Sequence, residues 1–313
     1  MIRTDISTVE QVLLQKKRVA ENRKRGSKKV KLPKTPRILE PKGIERAYQR
    51  ELRKLVNRTI ELVKANVLSQ VPSLVSLNDL LLPKTDSIKL DATPEELLQD
   101  LIRATEINLS RQLTDAEVQA IAREYAVQVD LHNRGQLSKV FRNVLGVDLV
   151  ADNPAIDKAI TAHIIENTEL IKNVSSEFLR ETQRIINDGF RRGLRAEEIS
   201  KQILGKTDLA GKATPSKKAI NRANLIARDQ INKLNGQINK VRQQSLGINK
   251  FTWITAGDER VRDTHRIDGS IFTWDSPVST NSNKVKPGFN LNPGEDINCR
   301  CYAEPIFEEE FLN

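Results

Sequence analysis

A chain of 313 residues with a formal net charge of +10 is long enough for about two domains and for a substantial buried core. Hydrophobic residues make up 38% and charged residues 29%, and no run approaches the ~20 apolar residues of a membrane helix, so a soluble globular protein without a membrane segment is expected. The first residues lack an apolar signal-peptide core, and only two cysteines exclude a disulfide framework, which points to a reducing, intracellular setting.

From Lys16 to Lys42, twelve Lys or Arg stand against two acids, Glu21 and Glu40. Gly26, Ser27, Pro33, Pro36 and Pro41 interrupt this block, so residues 1–43 are expected to form a mobile basic arm that buries no core. Phosphates suit it as a partner, through Lys16, Lys17, Arg18, Arg23, Lys24, Arg25, Lys28, Lys29 and Lys31. The same charge would also serve a solvated tail or a contact with an acidic protein. No aromatic interleaves the arm, so base stacking and sequence-specific readout are not expected.

Residues 44–150 read as a helical domain. Helical spacing runs over 44–70 at Ile44, Ala47, Leu52, Leu55, Val56, Ile60 and Val63. Pro72, Pro83 and Pro94 break the stretch 71–94. Thr93-Pro94-Glu95-Glu96 is a helix start with Thr as N-cap, and Thr114 with Glu117 is a capping box, so helices are expected to fill most of 95–145.

Residues 151–313 read as a second domain, with helices over 165–246 and a small sheet over 250–306. Ile171, Val174, Phe178 and Ile185 form an apolar stripe, with Gly189 and Gly193 as stops. A short helix over 194–205 ends at Gly205. The longest periodic segment, 216–246, steps through Ile220, Ala223, Ala227, Ile231, Leu234, Ile238 and Val241, with Asn, Gln, Lys and Arg on its other faces. Beyond Gly247 the pattern changes: KFTWIT (250–255) and SIFTW (270–274) alternate as strands do, and 300–306 is a third candidate. Aromatics gather here, at Phe251, Trp253, Phe272, Trp274, Phe289, Tyr302, Phe307 and Phe311. The fold class is thus α+β, mostly α, closing with a small antiparallel sheet.

Between the first two strands, residues 256–269 hold Asp258, Glu259, Asp263 and Asp268 beside Arg260, Arg262, Arg266 and His265. Cys299 and Cys301 follow, the chain's only cysteines. Three readings compete. His265, Cys299 and Cys301, with Asp263 or Asp268 as a fourth ligand, suit zinc by ligand type, although a one-residue gap is tighter than the two-to-four-residue gap of common zinc knuckles. Cys, His and Asp are also the minimum inventory of a thiol nucleophile. The structural reading makes the loop a set of ion pairs and carboxylate-to-amide bonds among Asp258, Arg260, Arg262, His265, Asp268 and Gly269. On that reading, reduced cysteines and tryptophans fill a small core.

In order and spacing, three features resemble the phage head morphogenesis family, the phage Mu F-like minor head proteins. These are LIARDQINKLN (225–235), the D-x-R-x-R-x-x-H loop from Asp258 to His265 with Asp268-Gly269, and Pro293-Gly294 with Cys299-Arg300-Cys301. The resemblance covers about 165–305. At Asp229-Gln230 the chain departs from the Thr-Glu that family members often carry. The resemblance implies no catalytic residue and no required cofactor. It implies a minor capsid protein incorporated in few copies, partnered with the portal, with scaffold or major capsid protein and with double-stranded DNA. Such a protein acts inside the head near the portal, after assembly in the host cytoplasm, in packaging, retention or ejection of DNA. The alternatives left by the residues alone are a zinc-dependent or thiol hydrolase centred on His265, Cys299 and Cys301, and a non-specific DNA-binding accessory protein. Arg300 is the expected partner of the carboxylates at 258–268.

Overall fold

A computed structural model of the chain describes residues 35–81, 92–146, 148, 150, 153–275, 278–279 and 290–307. Among them are the helices α1 (Lys42–Val63), α2 (Val71–Leu81), α3 (Pro94–Gln112), α4 (Asp115–Leu145), α5 (Pro154–Arg191), α6 (Ala196–Leu204) and α7 (Pro215–Ser245). The strands β1 (Lys250–Ile254), β2 (Ile271–Thr273), β3 (Val278–Ser279), β4 (Asn290–Leu291) and β5 (Tyr302–Pro305) follow. The mostly helical α+β class expected from the sequence is what the chain adopts.

Local chemistry sets most boundaries. Thr93 and Glu96 form the reciprocal capping box at the start of α3, and Thr114 Oγ1 accepts the Glu117 N–H at 3.2 Å before α4. Gly193 and Gly247, at φ 62° and 76°, end α5 and α7 in the left-handed region. Two expectations are corrected. The stretch 71–94 is not broken from its start, because Pro72 falls in the first turn of α2, where no N–H is needed. Gly189 does not stop α5; it lies inside the helix, where a Cβ would come within 2.6 Å of the Ile199 side chain on α6.

Two compact units divide the chain, and each draws on distant segments, so the divisions fall within α1, α4, α5 and α7. One unit comprises 46–122 and 165–227. Its core includes Tyr48, Leu52, Leu55, Leu98, Leu179, Ile186 and Phe190, all nearly inaccessible. Two buried hydrogen bonds fix α1 to α5: Tyr48 Oη donates to Asn167 Oδ1 at 3.0 Å, and the Thr59 and Ser175 hydroxyls meet at 3.0 Å.

The other unit comprises residues up to 45, 123–164 and 228–313, and it carries the sheet. The strand order is β2-β1-β5, antiparallel throughout, with Phe251 opposite Phe272 and Trp253 opposite Ala303. β3 and β4 form a separate two-stranded ladder. Two apolar clusters meet the sheet. Ile38, Leu137, Val140, Phe141, Leu246, Ile248 and Tyr302 form one; Phe251, Trp253, Trp274, Cys299, Cys301 and Ala303 form the other. The expectation of a mobile arm through residue 43 is therefore corrected at Ile38. That side chain is buried in the first cluster, and the Leu39 backbone bonds to Gln136 (3.1 Å) and His132 (2.8 Å) on α4.

The polar side of α7 is not a solvated face. Asn232, Asn235, Asn239, Arg242 and Gln243 are buried. Arg242, 2% exposed, donates to Asp130 Oδ1 at 2.7 Å and to Asn133 Oδ1 at 2.8 Å. Asn239 and Gln243 donate side-chain N–H groups to Ala303 O at 2.9 and 3.0 Å.

His163, on the part of α5 in this unit, is buried, and that burial lowers its pKa from 6.5 to about 4. Between those values the unfolded chain binds a proton that the folded chain refuses, so stability is present above pH 6.5 and is lost as pH falls. We expect a loss of about 2–3 kcal/mol between pH 7 and pH 4.5 from this residue. Urea midpoints at the two pH values should converge for His163→Gln; an undiminished drop would count against the assignment.

Candidate functional site

The site lies in the sheet-bearing unit, where two irregular segments meet β1 and β5. In the first, the carboxylate of Asp268 accepts the Thr255 N–H at 2.7 Å and its hydroxyl at 3.1 Å, closing the loop that leaves β1. Gly269 turns the chain back at φ 80° and donates its N–H to Trp253 O. A 3-10 turn over Asp263–His265 points His265 inward, 3% exposed and edge-on to the Trp253 ring at 5.6 Å between centroids.

The second segment is held by α7. Asn298 sits in the left-handed region at φ 57°, and its N–H donates to Asp229 Oδ1 at 2.8 Å. Asp229 also pairs with Lys233 at 2.8 Å. Two turns beyond Asp229 along α7, Gly236 lies so close to the Pro293-Gly294 backbone that a Cβ would come within 2.6 Å of Pro293 O. Glu295 closes the turn onto Asn292, accepting its backbone and side-chain N–H at 2.7 and 2.8 Å.

From Asn298 the chain runs into β5, and side chains alternate as in a strand. Cys299, Cys301 and Ala303 bury in one core and Tyr302 in the other. Arg300 makes a bidentate ion pair with Asp258 at 2.7 and 2.6 Å. The guanidinium holds the Asp258 carboxyl below the usual carboxylate range.

The alternation brings the two free thiols to the same histidine. His265 Nδ1 lies 3.4 Å from Cys299 Sγ and 3.7 Å from Cys301 Sγ. Across the ring, Nε2 lies 3.2 Å from Asp296 Oδ2, a close electrostatic contact without the alignment of a hydrogen bond. Asp296 is itself paired with Arg262, whose Nη2 donates to Ile297 O at 2.5 Å. The Gly294 N–H donates to Cys299 Sγ at 3.4 Å. A cavity of about 260 Å³ opens beside the cluster, lined by His265, both cysteines and four arginines: Arg228, Arg260, Arg262 and Arg300.

The two thiols titrate as a pair, and they diverge. Cys299, beside Cys301 and His265, is pushed well below the ordinary thiol value, while Cys301, beside Cys299, is pushed up, with burial adding to the rise. For His265, burial is the largest influence and opposes the charged ring. The hydrogen bond and charge of Cys299, with the charge of Asp296, outweigh it and raise the ring's pKa.

Of the candidate ligands, Asp263 is not in the cluster. Its side chain is 98% exposed and pairs with Arg266, because the 3-10 turn that sends His265 inward sends Asp263 outward. Asp296 occupies the neighbourhood instead. Arg260 is held by its backbone N–H to Asp258 and keeps an exposed side chain. Lys16, Lys17, Arg18, Arg23, Lys24, Arg25, Lys28, Lys29 and Lys31 lie outside the described residues. Sequence reasoning missed Asp229, Asp296 and Asn298 as supports of the site. For Asp229 the signal was the polar stripe at 229, 232, 235, 239 and 243, which has the same helical period as the apolar one.

Residues 181–304 match the family model described as Phage Mu protein F like protein. This region carries a Mu F-like module, and the resemblance to the phage head morphogenesis family is borne out there. A protein of Haemophilus influenzae titled "Uncharacterized protein" is 32% identical over 197 residues, covering 62% of this chain. The match spans 40% of that relative's length. No solved structure matches.

The Asp258–Arg300 pair is partly exposed, so a double-mutant cycle with alanine at each position should give a coupling of about 0.5–1 kcal/mol at neutral pH. Because the folded-state pKa of Asp258 is depressed, the coupling should be present above about pH 4 and vanish as pH falls through the lower folded value. Chemical denaturation at pH 7 and pH 2.5 measures it; a coupling equal at both would contradict an ionic origin.

Proposed function

We propose that the chain is a minor head protein of a tailed phage that joins the portal during head assembly and contacts DNA non-specifically through its basic segment. The observation that carries this reading is the Mu F-like match over 181–304, together with the ordered loop, D-G, P-G and C-R-C features inside it. The role is structural rather than enzymatic, and it is exercised inside the virion head, which the chain enters after synthesis in the host cytoplasm. Two features support it: a module whose charged loop residues are largely engaged with one another, and the excess of cations between Lys16 and Lys42. A segment of that charge neutralises phosphates and releases counterions, so its binding to duplex DNA is strongly salt-dependent and indifferent to sequence. Among the described residues, no helix is long and apolar enough to cross a membrane, which is compatible with a capsid partner.

Co-expression of the full chain with the cognate portal protein should yield a complex that co-purifies. Replacing the nine Lys and Arg between 16 and 31 by Gln should leave that complex intact and flatten the dependence of DNA affinity on salt, by about 0.9 in slope for each phosphate that is no longer neutralised. Heads assembled without the chain that retain portal and deliver DNA normally would overturn the assignment.

A further inference from the structure

We propose that His265, Cys299 and Cys301 bind a divalent zinc ion that staples the Mu F-like module, with Asp296 orienting the histidine. The argument is geometric. The three donor atoms lie within 4.8 Å of one another, and all three residues are buried. A tetrahedral zinc with ordinary bond lengths requires S···N edges of about 3.6 Å and S···S edges of about 3.8 Å. The two S···N separations are 3.4 and 3.7 Å. Both sulfur-to-nitrogen edges of such a tetrahedron are therefore already close to the required length.

The one-residue gap, tighter than that of a zinc knuckle, is what an extended segment needs. Residues i and i+2 share a face of a strand, so Cys299 and Cys301 point to the same side while Arg300 points away to Asp258. His265 Nδ1 offers either one proton or one lone pair, so it can serve one of the two sulfurs that approach it and not both. A metal ion serves all three donors at once. Zinc thiolate sites also draw on outer groups that hold the ligands. Here Gly294 N–H points at Cys299 Sγ, and Asp296 stands 3.2 Å from the far nitrogen of His265, itself fixed by Arg262.

Two thiolates, one imidazole and no hard oxygen donor select zinc over magnesium or calcium. A water completes the shell from the adjoining cavity. The ion's role in this proposal is to link the two segments that supply its ligands. It joins the loop after β1 to the segment entering β5, in a small core that needs a staple.

Full-length reduced protein, freed of metal and titrated with zinc alone, should bind one ion per chain. Titration with cobalt(II) should give the sulfur-to-cobalt charge-transfer absorption and intense visible bands of a tetrahedral thiolate site. Asp296→Asn should weaken zinc binding about 10–100-fold while keeping the cobalt spectrum. Asp263→Asn should change nothing. Cys299→Ser with Cys301→Ser should abolish binding, with far-UV circular dichroism reporting whether the helices persist. Folded wild-type protein with reduced thiols that shows no equimolar zinc uptake and no charge-transfer band would overturn the site, whatever the variants do. So would equimolar binding retained by the folded double-serine variant.

Discussion

The buried amides of α7 constrain everything that follows them in the chain. An amide taken out of water without a partner costs about 1–3 kcal/mol, and α7 buries Asn239 and Gln243 on the side facing the sheet. Their shared acceptor is the Ala303 carbonyl of β5. The helix thus cannot keep this face without the strand, and the strand loses its anchor without the helix. The same helix face carries Asp229, which fixes Asn298, and Gly236, which admits the Pro293-Gly294 turn. Strand and turn are positioned from one surface, which sets the thiols, while the loop closed by Asp268 brings the imidazole to them.

Electrostatics within the loops follow the same logic. Asp258 is taken by Arg300, Asp268 by Thr255 and Asp296 by Arg262. The pairs differ in what they secure. Asp268 closes the loop leaving β1, whereas the Asp258–Arg300 pair ties that loop to the strand on the far side of β1. Two of the cations lining the cavity, Arg262 and Arg300, are thus engaged in holding the fold.

Helix starts and stops were the most legible part of the sequence. Thr93 with Glu96, Gly205 and Gly247 act through their immediate neighbours, so a local reading finds them. The strands KFTWIT and SIFTW were legible for the same reason. Pro72 and Gly189 misled because their effect depends on position within a helix and on what packs beside it. The site was half legible. His265, Cys299 and Cys301 stand out by chemistry, yet Asp263 and Asp296 are indistinguishable until the 3-10 turn sends one outward and the Asn298 turn brings the other near. The burial of the Asn and Gln side chains of α7 was not legible, because it depends on acceptors carried by other elements.

The alternation across Cys299 to Ala303 has a consequence for how this region can vary. Consecutive residues there serve three different destinations: the tryptophan-lined core, the carboxylate of Asp258 and the cluster around Phe141. Parity along the segment is therefore fixed at both ends, by the Asn298 turn and by the pairing of β5 with β1. Inserting or deleting one residue between them would exchange every destination, sending Arg300 toward tryptophan and the thiols toward water. Single-residue length changes within 299–303 therefore disturb the packing more than substitutions that preserve the odd–even pattern.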